Sequence, residues 1–331
     1  MLMGNGPVSF ISNQKGIALL TVLWVLIILM VIVFSFSFLV KTEILATSSF
    51  KGETENRFLA EAGLERGIME LFYRKQNFNN KVILEGLEVW KIDGRPNSGQ
   101  IGSGNYLASI VDESGKLNIN TVPELVLRKL ISNLGVEGEL VDTIVDSIMD
   151  WKDKDDLVRL HGAESDYYQS LPQPYKAKNA DFDTLEELLL VKGVTRELLF
   201  GTGEKKGLID FLTVYGTSGG VNVNAASKEV LMAVSPGIDS AGADQLLQYR
   251  ENQEIKNIAE VEGMIGQKLL QLIPLNTTSS DIFTIEAFGF KKDRKPGAGI
   301  RAIVSLQGTN KFKYLYFKTP VFQKKEAAVS P

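Results

Sequence analysis

The sequence predicts an α+β protein in which a long amino-terminal helix packs on a small antiparallel sheet. A large all-α insert of two helix-hairpin-helix or SAM-like repeats interrupts that sheet. Three observations lead there. Residues 17–40 form one uncharged apolar run, and helical spacing continues after it. Strand-like segments flank a stretch of about 116–275 that is helix-patterned and punctuated by glycine. That stretch also repeats itself internally. At 331 residues the chain is about twice the usual single-domain length, which leaves room for such an insert.

The apolar run starts at Ile17 and ends at Val40, and its only polar side chains are Thr21, Ser35 and Ser37. As a helix it would rise roughly 36 Å, enough to cross a hydrocarbon core of about 30 Å. It exceeds the apolar region of an ordinary signal peptide, and Leu45-Ala46-Thr47-Ser48 is a weak cleavage signal, so a retained anchor is expected. Lys15 before it and Lys41 and Glu43 after it set orientation poorly by charge. At Gln14-Lys15-Gly16-Ile17-Ala18-Leu19-Leu20-Thr21 a basic residue and a glycine abut the run directly. This junction resembles the type IV prepilin processing site. The resemblance implies a cut after Gly16 by a dedicated membrane peptidase and N-methylation of a mature chain that begins at Ile17. Pilin-like proteins mostly carry Glu at the fifth mature position, where this chain has Thr21. Such a carboxylate would pair with the amine of a neighbouring subunit in the filament, and Thr21 cannot supply it.

From Thr42 to Tyr73 there is no proline, and Phe50, Phe58, Ala62, Glu65, Met69 and Phe72 recur mostly at three- to four-residue intervals. Gly52, Gly63 and Gly67 weaken the case for an unbroken helix. Strands are expected at Lys81 to Ile92 and Tyr106 to Asp112, with a glycine-rich turn from Ser98 to Gly104 between them. Further strands are expected at Ile282 to Phe290, Gly299 to Leu306 and Phe312 to Lys318, the last two joined by a hairpin turn at Gln307-Gly308-Thr309-Asn310.

Within the insert, Leu117-Asn118-Ile119-Asn120 is echoed by Val221-Asn222-Val223-Asn224, each expected to open a helix. The first carries the capping-box pattern Thr121 and Glu124, with Pro123 in the opening turn. Leu134-Gly135-Val136-Glu137 is matched by Pro236-Gly237-Ile238-Asp239. Phe182 to Leu188 with Lys192-Gly193-Val194 is matched by Lys256 to Val261 with Glu262-Gly263-Met264. Copy one carries about 28 extra residues on this alignment. The resulting map has a leader at 1–16, a membrane helix at 17–40, its continuation at 41–75 and sheet segments at 76–115 and 276–319. The insert occupies 116–275, with repeats at about 116–199 and 220–272 and an acidic insertion at about 152–179. A tail follows at 320–331.

Composition restricts the chemistry. There is no cysteine, which removes disulfides, thiolate nucleophiles and Cys-based metal sites, and His161 is the single histidine. His161 reads as a hydrogen-bonding loop residue, because no recognised spacing supplies it with a catalytic partner. Enzymatic activity is not expected; a membrane-anchored hydrolase using acids of the insertion is the reading that would contradict this. A tethered nucleic-acid receptor is the other alternative, since a helix, glycine turn and helix can hold a phosphate. Lys116 to Leu199 carries ten Lys and Arg against sixteen Asp and Glu, and Glu137 and Asp239 occupy the turns themselves, so no nucleic acid is expected.

The acidic insertion runs from Asp150-Trp151-Lys152-Asp153-Lys154-Asp155-Asp156 through Glu164 and Asp166. Asp150, Asp153, Asp155, Asp156, Glu164 and Asp166 place six carboxylates within seventeen residues, the hard oxygen donors that calcium prefers. The spacing is not that of an EF-hand. A solvated acidic loop, partly neutralised by Lys152, Lys154 and Arg159, is the competing reading.

Taken together, several features resemble the protein K family of large minor pseudopilins in type II secretion. They are Lys15-Gly16, Thr21, Asn118-Ile119-Asn120, Asp150-Trp151 with its acidic sequel, Gly162-Ala163-Glu164 before Tyr167-Tyr168, Leu171-Pro172 through Asn179, and Leu185 through Val194. The resemblance implies a single-pass protein of the bacterial inner membrane with a large periplasmic part. It further implies a calcium-bearing helical domain inserted in a pilin-like head, a place in the tip complex with the I- and J-type minor pseudopilins, processing by prepilin peptidase, and no enzymatic activity.

Overall fold

The computed structural model describes residues 14–77, 90–203, 205–216, 219–291 and 299–321. The chain divides into two compact units, Met1–Glu55 and Asn56–Pro331. Helix α1 (Gln14–Gln76) contributes to both and is unbroken. In the first unit its side chains from Leu19 through Phe50 are exposed, and by length and composition it is able to cross a membrane as a single-pass anchor. The leader expected at 1–16 lies mostly outside the described residues.

In the second unit, strands β1 (Asn97–Ile101) and β2 (Gly104–Asp112) lead through a 3-10 turn at Glu113–Gly115 into the insert. There follow β3 (Leu117–Asn118), α2 (Glu124–Asn133), α3 (Glu139–Lys152), α4 (Ser165–Gln169), a 3-10 segment at Leu185–Leu190 and α5 (Arg196–Phe200). A 3-10 turn at Leu208–Asp210 precedes β4 (Leu212–Thr213), β5 (Val221–Asn222), α6 (Lys228–Val234), α7 (Ser240–Asn252), α8 (Ile258–Ile265) and β6 (Leu275–Asn276). The chain then returns to the sheet with β7 (Ile282–Lys291), β8 (Gly299–Gln307) and β9 (Lys311–Val321).

The sheet is antiparallel with order β1-β2-β7-β8-β9. Its inner face follows the two-residue period of a strand: Tyr106, Ala108 and Ile110 of β2 are buried and sit in register with Gly289, Ala287 and Ile285 of β7. Ala60, Leu64, Ile68 and Leu71 line the facing side of α1 at helical spacing. Gly63 and Gly67 do not break the helix. They let it approach the sheet, where an added Cβ would press on Tyr106 and Ile285.

Several expectations are corrected. β1 occupies much of the stretch taken as a glycine-rich turn, and the turn tightens to Gly102-Ser103. Gly99 lies opposite Tyr106 in the register, and a side chain there would collide with the tyrosine ring. Residues 78–89 of the expected first strand lie outside the described residues, and Trp90 to Ile92 is not strand. The insert is not purely helical, because the Asn-rich openings form β3 and β5, which pair in parallel with β4 and β6. The capping box at Thr121 and Glu124 does not form: Pro123 is the N-cap of α2 and makes no side-chain cap bond. Thr184 and Glu187 form one instead.

The insert has its own core, distinct from that between α1 and the sheet. One hydrogen-bond pattern recurs within each half. Asn120 Nδ2 donates to Phe182 O and its Oδ1 accepts from Phe182 N, while Asn224 bonds Ile255 in the same two ways. Thr184 and Asn257 are the corresponding caps, and Gly193 and Gly266 both follow with positive φ. This pairs Gly193 with Gly266, whereas the sequence alignment paired it with Gly263.

Both crossings between sheet and insert are tied by side chains. Asp112 accepts from Ser114 of the 3-10 turn on the way out and from Ser279 and Ser280, just before β7, on the way back. Glu113, buried beside it, accepts from Lys116 Nζ and from Thr284 Oγ1 of β7, each at 2.6 Å.

Candidate metal centre

The acidic insertion is organised by the end of α3. Asp146 and Asp150 lie one turn apart on that helix, and Asp153 is its C-cap. The chain then folds back over these carboxylates: Arg159 N donates to Asp150 Oδ2 at 3.2 Å, and His161 N donates to Asp146 Oδ2 at 3.1 Å. Gly162 packs against Asp150, and a Cβ at that position would collide with Oδ2. Lys192 Nζ donates to His161 O at 3.3 Å and to Gly162 O at 3.0 Å, and lies 5.0 Å from the Tyr167 ring centroid. This pinned segment delivers Glu164 at the start of α4, where its side chain makes no cap bond.

Asp150 is fully buried and Glu164 is 5% exposed. Asp150 Oδ1, Asp153 Oδ1, both Glu164 carboxylate oxygens and Asn179 Oδ1 are buried without a hydrogen-bond donor. Burial first, then the charges of Asp150, Asp153, Asp156 and Asp155, push the Glu164 carboxyl up to about 7. Burial also raises Asp150, aided by Asp153, and raises Asp153, aided by Asp155. Cationic compensation is partial. Arg159 Nε is 3.3 Å from Asp150 Oδ1, and Arg128 engages Glu124, Asp142 and Asp146. Lys152, expected to neutralise the loop, instead donates to Ile119 O and Asn120 O.

Of the six predicted acids, Asp150, Asp153 and Glu164 carry the unsatisfied buried oxygens. Asp155 and Asp156 have exposed side chains engaged in local bonds, with Leu157 N and with Asn179 Nδ2 respectively, and Asp166 is exposed in the first turn of α4. Asn179 and Lys192 were not candidates, because neither an amide nor a lysine stands out by type or spacing in an acidic loop. His161 serves the loop through its backbone, and its Nδ1 is 3.8 Å from Glu139. Beneath the site Trp151 packs on Tyr168, Tyr175 and Phe182.

Among the described residues, no three His, Cys, Asp or Glu side chains stand together as a ready metal-holding group. The unsatisfied donors are nevertheless all hard oxygens, three carboxylates and an amide, the set that suits calcium rather than a softer metal. Unpaired, such buried groups cost free energy. Calcium there would supply charge compensation and hold the loop in place.

Two family models, each described as Type II secretion system (T2SS), protein K, match residues 106–200 and 221–281. Both models describe one family, that of type II secretion system protein K. Protein K relatives of this chain include one from Pectobacterium carotovorum subsp. carotovorum, 28% identical over 203 residues, which are 56% of this chain and 60% of the relative. Another, from Pseudomonas aeruginosa, is 27% identical over 258 residues, 72% of this chain and 73% of the relative. The match thus spans about 60% of the length of the first of these relatives. Among solved structures, the GspK-GspI-GspJ complex from the enterotoxigenic Escherichia coli Type 2 Secretion System contains a chain with TM-score 0.57 and 15% identity, covering 86% of this chain and 100% of that one. That likeness concerns the fold. These protein K matches lend the nucleic-acid alternative no support.

Proposed function

We propose that this protein is a minor pseudopilin of a type II secretion system, a structural subunit without catalytic role. The observation that carries this is the match of protein K family models to both halves of the insert, on a chain whose membrane-competent helix also packs against an antiparallel sheet. Two copies of one helical unit make up the insert in this reading, supported by the shared asparagine bonds of Asn120 and Asn224. The I- and J-type minor pseudopilins are its proposed partners, and the printed composition of the similar complex supports this. Its place is the inner membrane, with the second unit in the periplasm. Prepilin peptidase cuts after Gly16, and Ile17 becomes the N-methylated terminus.

Tip position follows from Thr21 and from the size of the insert. Thr21 Oγ1 donates to Ala18 O at 2.9 Å and presents no carboxylate to the amine of a subunit above. The insert adds bulk to a head whose sheet, among the described residues, has five strands. The insertion is proposed to hold calcium through Asp150, Asp153 and Glu164, as a structural ion.

The test is isolation from host membranes in mild detergent. The chain should co-purify in fixed stoichiometry with the I- and J-type subunits, and its mass should correspond to a methylated chain starting at Ile17. Recovery free of both subunits would overturn the assignment, and an intact Met1 terminus in the assembled protein would overturn the processing.

A further inference from the structure

We infer that the insert is a hinged lobe: its first repeat is seated on the sheet, and its second is held across a charged cleft by a releasable latch of Lys91, Arg95 and Glu251. The hinge is the pair of crossings, at Glu113–Gly115 and at 277–281.

The two halves of the insert meet the sheet in different ways. Beside the first repeat the contact is closed. Buried Ile303 of β8 faces Leu185, Ile209 and Leu212 across a void of only about 30 Å³. The Tyr316 hydroxyl donates to Glu186 Oε1 at 2.6 Å, and Lys318 Nζ donates to the same oxygen at 3.0 Å. The Tyr215 hydroxyl donates to Leu315 O at 3.5 Å, and Lys318 Nζ lies 5.9 Å from the Phe200 ring centroid.

Beside the second repeat a cleft of about 820 Å³ separates the insert from the sheet. Both walls are charged, with Glu286 and Arg301 on the sheet and Arg250 and Glu254 at the end of α7 and just after it. Such walls keep their water and do not close into an apolar seam. The bridge across the cleft is polar: Arg95 Nη2 donates to Glu251 Oε1 at 2.7 Å, and Lys91 Nζ donates to Glu251 O at 3.1 Å. Asp93 Oδ2, 3.1 Å from Arg95 Nε, holds the guanidinium in place for this. Arg95 and Glu251 are 53% and 52% exposed, which puts the bridge at the rim, whereas Asp112 and Lys116 at the crossings are buried at the inner end. An ion pair this exposed shifts an equilibrium by no more than about fivefold, and salt weakens it. Lobes joined without a large apolar interface move relative to one another. The second-repeat side is therefore the side that opens, and the seated side is the pivot.

The chain has no cysteine, so spin labels on introduced cysteines report without background. Full-length protein in detergent would carry one pair across the cleft, Ser98→Cys with Gln248→Cys. A second preparation would carry a pair across the seated side, Lys313→Cys with Glu197→Cys; all four side chains are exposed. Double electron-electron resonance reads the distances. Glu251→Lys is expected to raise the population of long distances in the first pair about threefold to fivefold and to leave the second pair unchanged. Raising sodium chloride from about 0.05 M to about 1 M should move the unmodified chain in the same direction. A first pair that neither the substitution nor salt alters overturns the latch. Equal broadening of both pairs overturns the hinge, because the seated side would then move as well. Should the lysine variant fail to fold, the salt series on the unmodified chain decides in the same two ways.

Discussion

Replacing Lys116 by methionine is expected to destabilise the Asn56–Pro331 unit by about 3–5 kcal/mol, measured by chemical denaturation, because it leaves a buried carboxylate without its counter-ion. Glu113 and Lys116 are both almost fully buried, 2.6 Å apart, at the point where the chain leaves the sheet for the insert. Burial by itself would raise the Glu113 carboxyl, but the charge and hydrogen bond of Lys116, with bonds from Thr213 and Thr284, hold it below its ordinary value. The linkage sign follows. A depressed carboxyl stabilises the fold above its unfolded value, and that contribution is lost as pH falls through the folded one. In Lys116→Met the carboxyl is no longer held down, so this variant should instead gain stability on acidification. Combining it with Glu113→Gln should recover most of the loss, since the pair as a whole is worth far less than one partner left unmatched. A double variant as unstable as the single one would show that the pair is not the source of the cost.

The metal-free protein is expected to lose about 3 kcal/mol of stability between pH 4.5 and pH 8 through Glu164, whose carboxyl is raised from 4.5 to about 7. Here the sign is opposite. The folded state prefers the protonated form, so stability is complete below the unfolded value and falls as pH rises through the folded one. Glu164→Gln should flatten this slope and make the chelated protein more stable than the parent at pH 8. Calcium at pH 8 should restore the parent and do little for the variant. Thermal melts across pH, with chelator and with calcium, measure both effects. A parent whose chelated stability does not vary over this range would refute the burial of an uncompensated Glu164 carboxylate.

Both predictions turn on groups whose importance was unequally visible in the sequence. Asp150, Asp153 and Glu164 were selected as hard oxygen ligands from composition. What separated them from Asp155, Asp156 and Asp166 was burial, which no spacing encodes. Asn179 was legible only as the end of the Leu171 to Asn179 stretch that carries the family resemblance; its left-handed backbone and its oxygen without a donor emerge from the tertiary structure. The Glu113 and Lys116 pair was equally silent. An acid three residues from a lysine reads as a surface pair until β7 and the insert close over it.

The length and apolarity of the anchor, the continuation of its helix past the apolar run, the hairpin at Gly308 and the flanking of a helical insert by strands were determined by the sequence itself. Each is set by the character and spacing of near neighbours: charge-free length, a period of 3.6 or 2, a turn residue. The face of that helix that packs on the sheet was not the one its aromatic spacing picked out: Phe50, Phe58 and Met69 are exposed, and Ala60, Leu64, Ile68 and Leu71 are buried. Tertiary structure decided the rest. Gly99 became a strand residue because Tyr106 needed the space across the ladder. The Asn-rich segments became parallel strand pairs because their partners, β4 and β6, lie far along the chain. Thr121 and Glu124 formed no box, while Thr184 and Glu187 did. Pairings between distant segments depend on which surfaces the cores bring together, and local propensity carries no record of them.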